Sequence, residues 1–245
     1  MVEKLDCDTS GEGEMKESGI LMTPENIAAS AEGRKTQTRR TRGLDIINKP
    51  PQSMNNWQLV SVLQRDGETV ARFITPDGNG DISLVCPYGG VGDFLYIKEA
   101  WSVCSFSEYF AASSQLLIAY KLGGQEWRTV NWETWQKYAS SKYYSWQSPM
   151  FMPKLFARHW NEIISVRAER LQDMSYNDVK AEGIDMSLPD GFMKDEHWQL
   201  PENKDLPFGY MRFKYLWDSI NKASGHPWEK NEWVWPIEYK AVRSK

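Results

Sequence analysis

Short stretches in which apolar and polar residues alternate recur along the chain, and this period of two predicts a protein built mainly from strands. Two pairs of stretches flank glycine-containing turns, and each pair predicts a β-hairpin. The pairs are 57–63 with 69–74, across Arg65-Asp-Gly67, and 116–121 with 127–130, across Gly123-Gly124. Further strands are predicted at 19–22, 94–101, 161–170 and 233–239. Pro236 indicates that the last of these lies at a sheet edge, because proline has no N–H for a ladder.

Three segments have the features of helices. Thr23-Pro24, an N-cap followed by a residue suited to the first helical position, predicts a short helix that Gly33 ends. Ser175-Tyr-Asn-Asp178 resembles a capping box and predicts a second short helix, which Gly183 ends. Apolar residues at 213, 216, 217 and 220 follow the spacing of one helical face and predict a third. A few helices among many strands indicate an α+β fold.

The charge balance limits the kind of partner. The 245 residues include 29 Lys and Arg against 33 Asp and Glu, which gives a formal net charge of −4. This excludes a uniformly basic nucleic-acid-binding protein, so any nucleic-acid site has to be local. No run approaches the roughly 18 to 20 apolar residues of a membrane span, and residues 1–17 are acidic and polar, unlike a signal peptide. We therefore expect a cytoplasmic protein with no membrane partner and a flexible acidic tail at 1–17.

The cysteines and histidines do not form a metal-binding pattern. Cys7, Cys86 and Cys104 are widely separated, and the three histidines are equally scattered. No Cys-x-x-Cys or Cys/His pair has the spacing of a zinc site. The sequence predicts free thiols, no metal site and no cofactor.

The most unusual segment is Arg34–Arg42, the basic segment, which has five cations and no acid. One interpretation is a solvated face, and the other is an anion-binding site. Lys35, Thr38 and Arg40 recur at i, i+3 and i+5 beside Gly33, so a turn can direct an ammonium, a hydroxyl and a guanidinium into one cleft. Such a trio suits recognition of a phosphate or a base, and Thr38 with Lys35 also suits a nucleophile and its base.

The string Gly33-Arg-Lys-Thr-Gln-Thr-Arg-Arg40 resembles the signature of the ASCH domain, G-x-K-x-x-E-x-R, which belongs to the PUA-like β-barrel superfamily. Gly33, Lys35 and Arg40 match this signature, whereas Thr38 stands where many members carry Glu. Threonine at this place is similar to the small bacterial ASCH amidohydrolases that act on N4-acetylcytidine. The carboxylate that the family carries in a short helix after the central strand corresponds to Glu182.

A second resemblance is to the longer ASCH proteins of tailed bacteriophages and prophages. Pro87-Tyr-Gly-Gly-Val-Gly-Asp-Phe-Leu-Tyr-Ile-Lys-Glu-Ala-Trp101 resembles their P-x-G-x-x-G-D-x-L-W-V-R-E-x-W string. The resemblance implies a PUA-like small mixed β-barrel with flanking helices, in one domain over 18–245. It further implies inserted loops at about 42–85, 102–148 and 185–208, and a location in the cytoplasm of a bacterial host.

The resemblance implies a cleft lined by Lys35, Thr38, Arg40 and Glu182 that binds RNA or a modified nucleoside, presented as a single strand or a flipped base. Binding without turnover is the first hypothesis. The candidate nucleic-acid-binding residues are Arg34, Lys35, Arg39, Arg40, Arg158, Tyr88 and Trp101.

An amidohydrolase acting on N4-acetylcytidine is the alternative. The candidate catalytic residues are Lys35, Thr38 and Glu182. Thr38 would attack the amide carbonyl, and Lys35 would accept the hydroxyl proton, with its pKa lowered by Arg34 and Arg39. Glu182 would orient Lys35 or return the proton to the leaving amine, and Arg40 would stabilise the oxyanion. A metal-independent ribonuclease and a phage accessory or morphogenesis protein are further alternatives.

Two other features have open interpretations. Glu99 and Trp101 either belong to the site or fix the preceding loop against the barrel, and in the latter case Glu99 is expected to pair with a buried arginine. The aromatic residues of 131–146 either pack at the edge of the core or stack on a ligand.

Overall fold

The computed structural model describes residues 15–49, 56–107, 114–185 and 208–242. Within these residues the protein is a mixed α+β structure with three sheets, which confirms the predicted fold class. None of these sheets closes into a barrel, so the closed barrel that the family resemblance implies is not present among the described strands. In the same residues, no helix is both long enough and apolar enough to span a membrane.

The largest sheet has six strands and forms the centre of the molecule. Five of them follow the spatial order β1 (Glu17–Leu21), β6 (Phe94–Lys98), β10 (Trp160–Val166), β12 (Trp233–Val242) and β11 (Glu169–Arg170). The sixth, β2 (Gln37–Arg40), pairs with the other side of β12. β1 runs parallel to β6, and the remaining pairs are antiparallel.

β1 begins at Glu17, inside the segment predicted as a flexible tail. Lys16 explains the difference, because its N–H donates to Asp93 Oδ1 at 2.8 Å and its carbonyl accepts from Phe94 N at 2.9 Å. Residues 1–14 of the predicted tail lie outside the described residues.

β12 is an inner strand, so the expectation that Pro236 marks a sheet edge is wrong. On the β2 side, Tyr239 N donates to Thr36 O at 2.8 Å. Hydrogen-bonded and non-hydrogen-bonded pairs alternate in an antiparallel ladder, so the pair Pro236–Arg39 is a non-hydrogen-bonded one. On the opposite side, Pro236 lies at the gap between β10 and β11. There its carbonyl accepts from Arg167 N at 3.1 Å, and its missing N–H falls at this gap rather than within the paired stretch of either strand.

The two other sheets are three-stranded meanders, and each occupies a predicted insertion. The insertion at 42–85 contains β3 (Gln58–Arg65), β4 (Glu68–Ile74) and β5 (Asp81–Val85). The insertion at 102–148 contains most of β7 (Trp101–Ser107), together with β8 (Ser114–Tyr120) and β9 (Gln125–Val130). Both predicted hairpins are confirmed. Between its two ends, the insertion at 185–208 lies outside the described residues.

Five α-helices lie in the described part of the chain: α1 (Pro24–Ala31), α2 (Asp45–Asn48), α3 (Trp132–Tyr138), α4 (Tyr176–Ala181) and α5 (Phe208–Asn221). The three predicted helices are confirmed as α1, α4 and α5. Thr23 caps α1, since its hydroxyl accepts from Asn26 N at 3.3 Å. α4 has the full capping box, in which Ser175 Oγ accepts from Asp178 N and Asp178 Oδ2 accepts from Ser175 N.

Three apolar clusters hold these layers together. The first fills the space between the central sheet and the β3–β4–β5 meander, and it includes Phe73, Ile97 and Trp235. The second lies under the β7–β8–β9 sheet around Trp101. The third packs α4 and α5 against one end of β12, and Trp217 is one of its members. The basic segment lies beside this third cluster.

We expect Ser175→Ala to lower the free energy of unfolding by about 1 kcal/mol, because the variant loses the hydroxyl that accepts from the first turn of α4. Urea titration followed by circular dichroism measures this difference. Ser219→Ala, on exposed α5 surface, is the matched control. An equal loss in the two variants would show that the cap does not hold α4.

Candidate functional site

The backbone of the basic segment is fixed before any of its side chains is considered. Gly33 follows α1 with a φ of 73°, in the left-handed region that favours glycine. The N–H groups of Arg34 and Lys35 then both donate to Ala29 O, at 2.9 and 3.0 Å. Thr36 N donates to Ala181 O at 2.8 Å, which attaches the segment to the end of α4. The segment continues as β2, so it is a strand rather than the turn that the spacing suggested.

Lys35 and Glu182 form a buried ion pair at this junction. Lys35 Nζ lies 2.6 Å from Glu182 Oε2 and donates to the carbonyl oxygen of the same residue at 2.9 Å. The side chains are 2% and 4% exposed. Gly183 is required beside them, because its φ is 81° and a Cβ there would lie 2.8 Å from the Lys35 Cβ. The structure therefore brings together two of the three predicted catalytic residues.

Burial lowers the pKa of Lys35 below the ordinary value of a lysine, and the charge and hydrogen bond of Glu182 oppose this shift. Arg40 and Arg39 lower the pKa further by repulsion. The sequence-based attribution to Arg34 was wrong, because the Arg34 side chain is 57% exposed and pairs with Glu32 at 2.6 Å. The direction of the shift agrees with the expectation, but its main cause is desolvation.

Arg39 joins Glu182 to a larger set of charges. Its Nη1 donates to Glu182 Oε1 at 3.0 Å, and its Nη2 lies 2.7 Å from Glu169 Oε1 and 3.6 Å from Asp178 Oδ2. The Arg39 side chain is fully buried. A buried guanidinium needs such partners, because an uncompensated charge in the interior is costly.

Arg167 completes the network from the other end. It contacts three carboxylates, Glu169 at 2.8 Å, Asp178 at 2.5 Å and Glu238 at 2.6 Å. Three cations thus alternate with four carboxylates around β2, β11, β12 and α4. The cations are Lys35, Arg39 and Arg167, and the carboxylates are Glu169, Asp178, Glu182 and Glu238. Two buried cations of the basic segment therefore bind buried or half-buried acids of the protein itself, which neither of the two interpretations of its charge included.

Burial by itself would raise the pKa of Asp178, yet the net shift is strongly downward. The hydroxyl and N–H of Ser175 donate to this carboxylate, and the charges of Arg39 and Arg167 also favour its ionised form. Asp178 consequently belongs both to the cap of α4 and to the ion network.

Thr38 shares a small cavity with the ion pair. The cavity has a volume of about 30 Å³, which is room for roughly one water molecule. Thr38 itself is 1% exposed. α5 closes the side opposite the basic segment. The lining residues that matter here are Lys35, Thr38, Arg40 and Glu182 on one side, with Leu216 and Trp217 of α5 on the other.

Arg40 lines the cavity, whereas Tyr88 is not among its lining residues and belongs to the first apolar cluster. Arg40 is anchored to the backbone, since Nη1 donates to Arg39 O at 3.2 Å and Nη2 to Leu21 O at 2.8 Å. These two bonds use two of the five N–H groups of a guanidinium. Burial raises the pKa of Tyr88, and the nearby charge of Arg40 counteracts part of this shift.

Arg158 and Trp101 lie in another part of the molecule, against the second apolar cluster. Arg158 makes a two-point ion pair with the fully buried Glu99, at 2.9 and 2.7 Å, and donates to Gly123 O at 2.7 Å. This confirms the expectation that Glu99 pairs with an arginine, although Arg158 is half-buried, with 15% of its side chain exposed, rather than buried. Trp101 is 1% exposed and packs on Phe156. The structure does not bring either residue together with Lys35.

Sequence analysis did not identify Glu169, Asp178 and Arg167 as part of the site. The capping box singled out Asp178 only as a helix start, and the Arg-x-Glu spacing of 167 and 169 is common on exposed strands. Glu169 and Asp178 share Arg39 as a partner, which lies 130 or more residues earlier in the chain, and Arg167 joins the network through these two carboxylates. Among the described residues, no group of three or more His, Cys, Asp and Glu side chains is arranged to hold a metal ion.

We expect Arg39→Met to lower the free energy of unfolding by about 3–5 kcal/mol, because it leaves Glu182 and Glu169 without their shared partner. Arg34→Met is the matched control in the same segment and should change stability by no more than about 0.5 kcal/mol. Denaturant titration at neutral pH measures both. Similar values for the two variants would contradict the network described above.

The free energy of unfolding should fall at acidic pH. The pKa of Asp178 is lower in the folded than in the unfolded protein, so its contribution is present above its ordinary pKa of 3.8 and is lost as the pH drops through the folded value. Asp178→Asn should be less stable than the parent at neutral pH and should show a weaker dependence on acid. Thermal melts from pH 7 to pH 2 test this, and parallel curves for the two proteins would contradict it.

Comparison of this chain with models of protein families, with curated proteins and with solved structures finds no match. The basis for a functional assignment is therefore the buried Lys35–Glu182 pair beside Thr38, together with the motif resemblance.

Proposed function

We propose that this protein is a PUA-like protein of the ASCH type that hydrolyses the amide of an N4-acylated cytidine, either free or within RNA. The observation that carries the proposal is the Lys35 ammonium, which is buried with a lowered pKa in the same cavity as Thr38 and Glu182. A buried ion pair is a weak source of stability. A titratable group with a shifted pKa in a cavity is typical of a catalytic site.

In the proposed reaction, the Thr38 hydroxyl attacks the acyl carbon and neutral Lys35 accepts its proton. The tetrahedral intermediate expels the N4 amine of cytidine, which takes the proton from Lys35. Water then hydrolyses the acyl ester on Thr38, which gives a carboxylic acid and restores the hydroxyl. Burial supports this role because it favours the neutral amine that can act as a base.

Glu182 and Arg39 act as positioning residues in this scheme. Glu182 holds the Lys35 Nζ through both its carboxylate and its carbonyl oxygen, at 2.6 and 2.9 Å. Arg39 Nη1 in turn fixes the other carboxylate oxygen at 3.0 Å. Arg40 donates two N–H groups to Arg39 O and Leu21 O. Its remaining N–H groups would stabilise the oxyanion.

Substrate access requires α5 to move. The cavity of about 30 Å³ is far smaller than the roughly 300 Å³ or more of a typical ligand pocket. Leu216 and Trp217 form the wall of the cavity on the α5 side. We infer that a bound nucleoside displaces these side chains and takes their place against the basic segment.

The second candidate is recognition of RNA or a modified nucleoside without turnover. The observation that favours it is the ion pair of Lys35 with Glu182, because the charge of Glu182 opposes loss of the Lys35 proton. A ribonuclease is less well supported, because Lys35 and Arg39 already neutralise carboxylates and are not directed toward a phosphate. A phage origin, a location in the host cytoplasm and a role as an accessory protein stay predictions.

Incubation with N4-acetylcytidine, followed by chromatography, should release cytidine. Thr38→Ala and Lys35→Met should each reduce turnover by at least about 100-fold, since each removes a group that transfers a proton or forms the covalent bond. The rate at low substrate should rise with pH and level off below the ordinary lysine pKa of about 10.4. Unchanged turnover in Thr38→Ala would overturn the nucleophile assignment.

Lys180→Ala is the matched control, because Lys180 is an exposed lysine on α4 near the site. The double variant Lys35→Met/Glu182→Gln removes both charges of the pair and separates loss of chemistry from loss of folding. Absence of turnover in the parent, combined with RNA binding that Lys35→Met weakens, would favour the second candidate.

A further inference from the structure

A row of four aromatic side chains lies on the β7–β8–β9 side of the molecule, away from the ion pair. Trp132 and Trp135 come from α3, Phe106 from β7, and Tyr144 from the loop after α3. We call these four residues the aromatic row. Trp132 and Tyr144 are each 51% exposed, and Phe106 is 38% exposed. Large aromatic side chains with this exposure in a contiguous set indicate an interaction site.

The rings of the aromatic row contact one another in sequence. Trp132 and Trp135 are stacked, with centroids 4.9 Å apart and planes 11° apart. Phe106 meets the edge of Trp135 at 5.6 Å and lies nearly parallel to Tyr144 at 6.4 Å. Trp135 also packs against the second apolar cluster. The row is therefore fixed on a packed core, with one open end at Trp132 and the other at Tyr144.

Two lysines accompany the aromatic row in the sequence, although the whole chain is acidic. Residues 126–148 contain Arg128, Lys137 and Lys142 against Glu126 and Glu133, a net charge of 3 − 2 = +1, whereas the whole chain carries −4; Arg128 is paired with Glu126 at 2.5 Å, which leaves the two lysines. Lys137 Nζ lies 5.1 Å from the Tyr138 ring centre, and Lys142 Nζ lies 5.5 Å from that of Tyr143. Neither ammonium pairs with a carboxylate of the described residues.

We propose that the aromatic row binds single-stranded nucleic acid, with bases stacked on Trp132 and Tyr144 and phosphates near Lys137 and Lys142. Every base has a π face, so such a surface accepts a strand without regard to sequence. The two lysines supply the charge complementarity that a phosphate backbone requires. The inference rests on the proposed function, because RNA is the ligand class in both. In this arrangement the β7–β8–β9 sheet binds the nucleotides that flank the reacting nucleoside.

The test uses a fluorescently labelled 12-nucleotide oligouridine and the full chain, with binding followed by anisotropy at low salt. Trp132→Ala and Tyr144→Ala should each weaken binding by about tenfold, as loss of one stacked base predicts. Lys137→Ala combined with Lys142→Ala should reduce the slope of log affinity against log salt by about 1.4, since each lost phosphate contact accounts for about 0.7.

Trp127→Ala is the matched control, because Trp127 is 49% exposed on the same sheet. Trp127 faces Leu117 across the ladder, whereas Phe106 faces Leu116, and successive side chains of a strand point to opposite faces. Trp127→Ala should change the affinity by less than twofold. Circular dichroism verifies that each variant is folded.

The inference would be overturned if the parent protein did not bind the oligouridine, or if Trp132→Ala bound it as tightly as the parent. It would also be overturned if the parent self-associated and Trp132→Ala abolished this, because a second copy of the chain would then be the occupant of the aromatic row. The oligouridine carries no acyl group, so its binding does not depend on hydrolysis. Free N4-acetylcytidine has no flanking nucleotides, so its hydrolysis does not depend on the aromatic row. Loss of strand binding and loss of hydrolysis therefore report separately on the aromatic row and on the proposed function.

Discussion

The burial of positive charge in β2 is the constraint on which this end of the structure depends. A lysine and an arginine in an inner part of a sheet require carboxylates within contact distance, since an unpaired interior charge costs several kcal/mol. Asp178 comes from α4, Glu182 from the residue that follows α4, Glu169 from β11 and Glu238 from β12. The ion network therefore fixes α4 and β11 relative to the β2–β12 pair.

This arrangement decides what the basic segment can do. Its composition suggests a surface for phosphates, but Lys35 and Arg39 are nearly or fully buried and their charge is neutralised within the protein. What the network leaves is a small cavity that is lined by Thr38 and by a lysine with a lowered pKa. A buried lysine with a lowered pKa suits proton transfer on a bound nucleoside. It suits the attraction of a nucleic-acid backbone less well, because its charge is already neutralised.

The two inserted meanders add surfaces that the central sheet lacks. The β3–β4–β5 meander covers the first apolar cluster. The β7–β8–β9 sheet instead carries the aromatic row and its local positive charge. The buried cavity and the exposed aromatic row are then two parts of one proposed activity on RNA. The acidic net charge of the chain does not oppose RNA binding, because salt screens charges that are far from each site.

Local patterns in the sequence determined the hairpins, the capped helices α1 and α4, and the amphipathic helix α5, because turn geometry and periodicity involve residues only a few positions apart. The motif also indicated Lys35, Thr38 and Glu182 as site residues, and the structure brings all three to one cavity. The sequence did not determine that β2 is a buried strand, that Pro236 lies in an inner strand, or that α5 closes the cavity. Only the tertiary structure decided these points. Lys35 and Glu182 are 147 positions apart, and Arg39 and Glu169 are 130 apart. Whether a charge faces water or a buried partner depends on such distant contacts, and no local pattern of residues contains them.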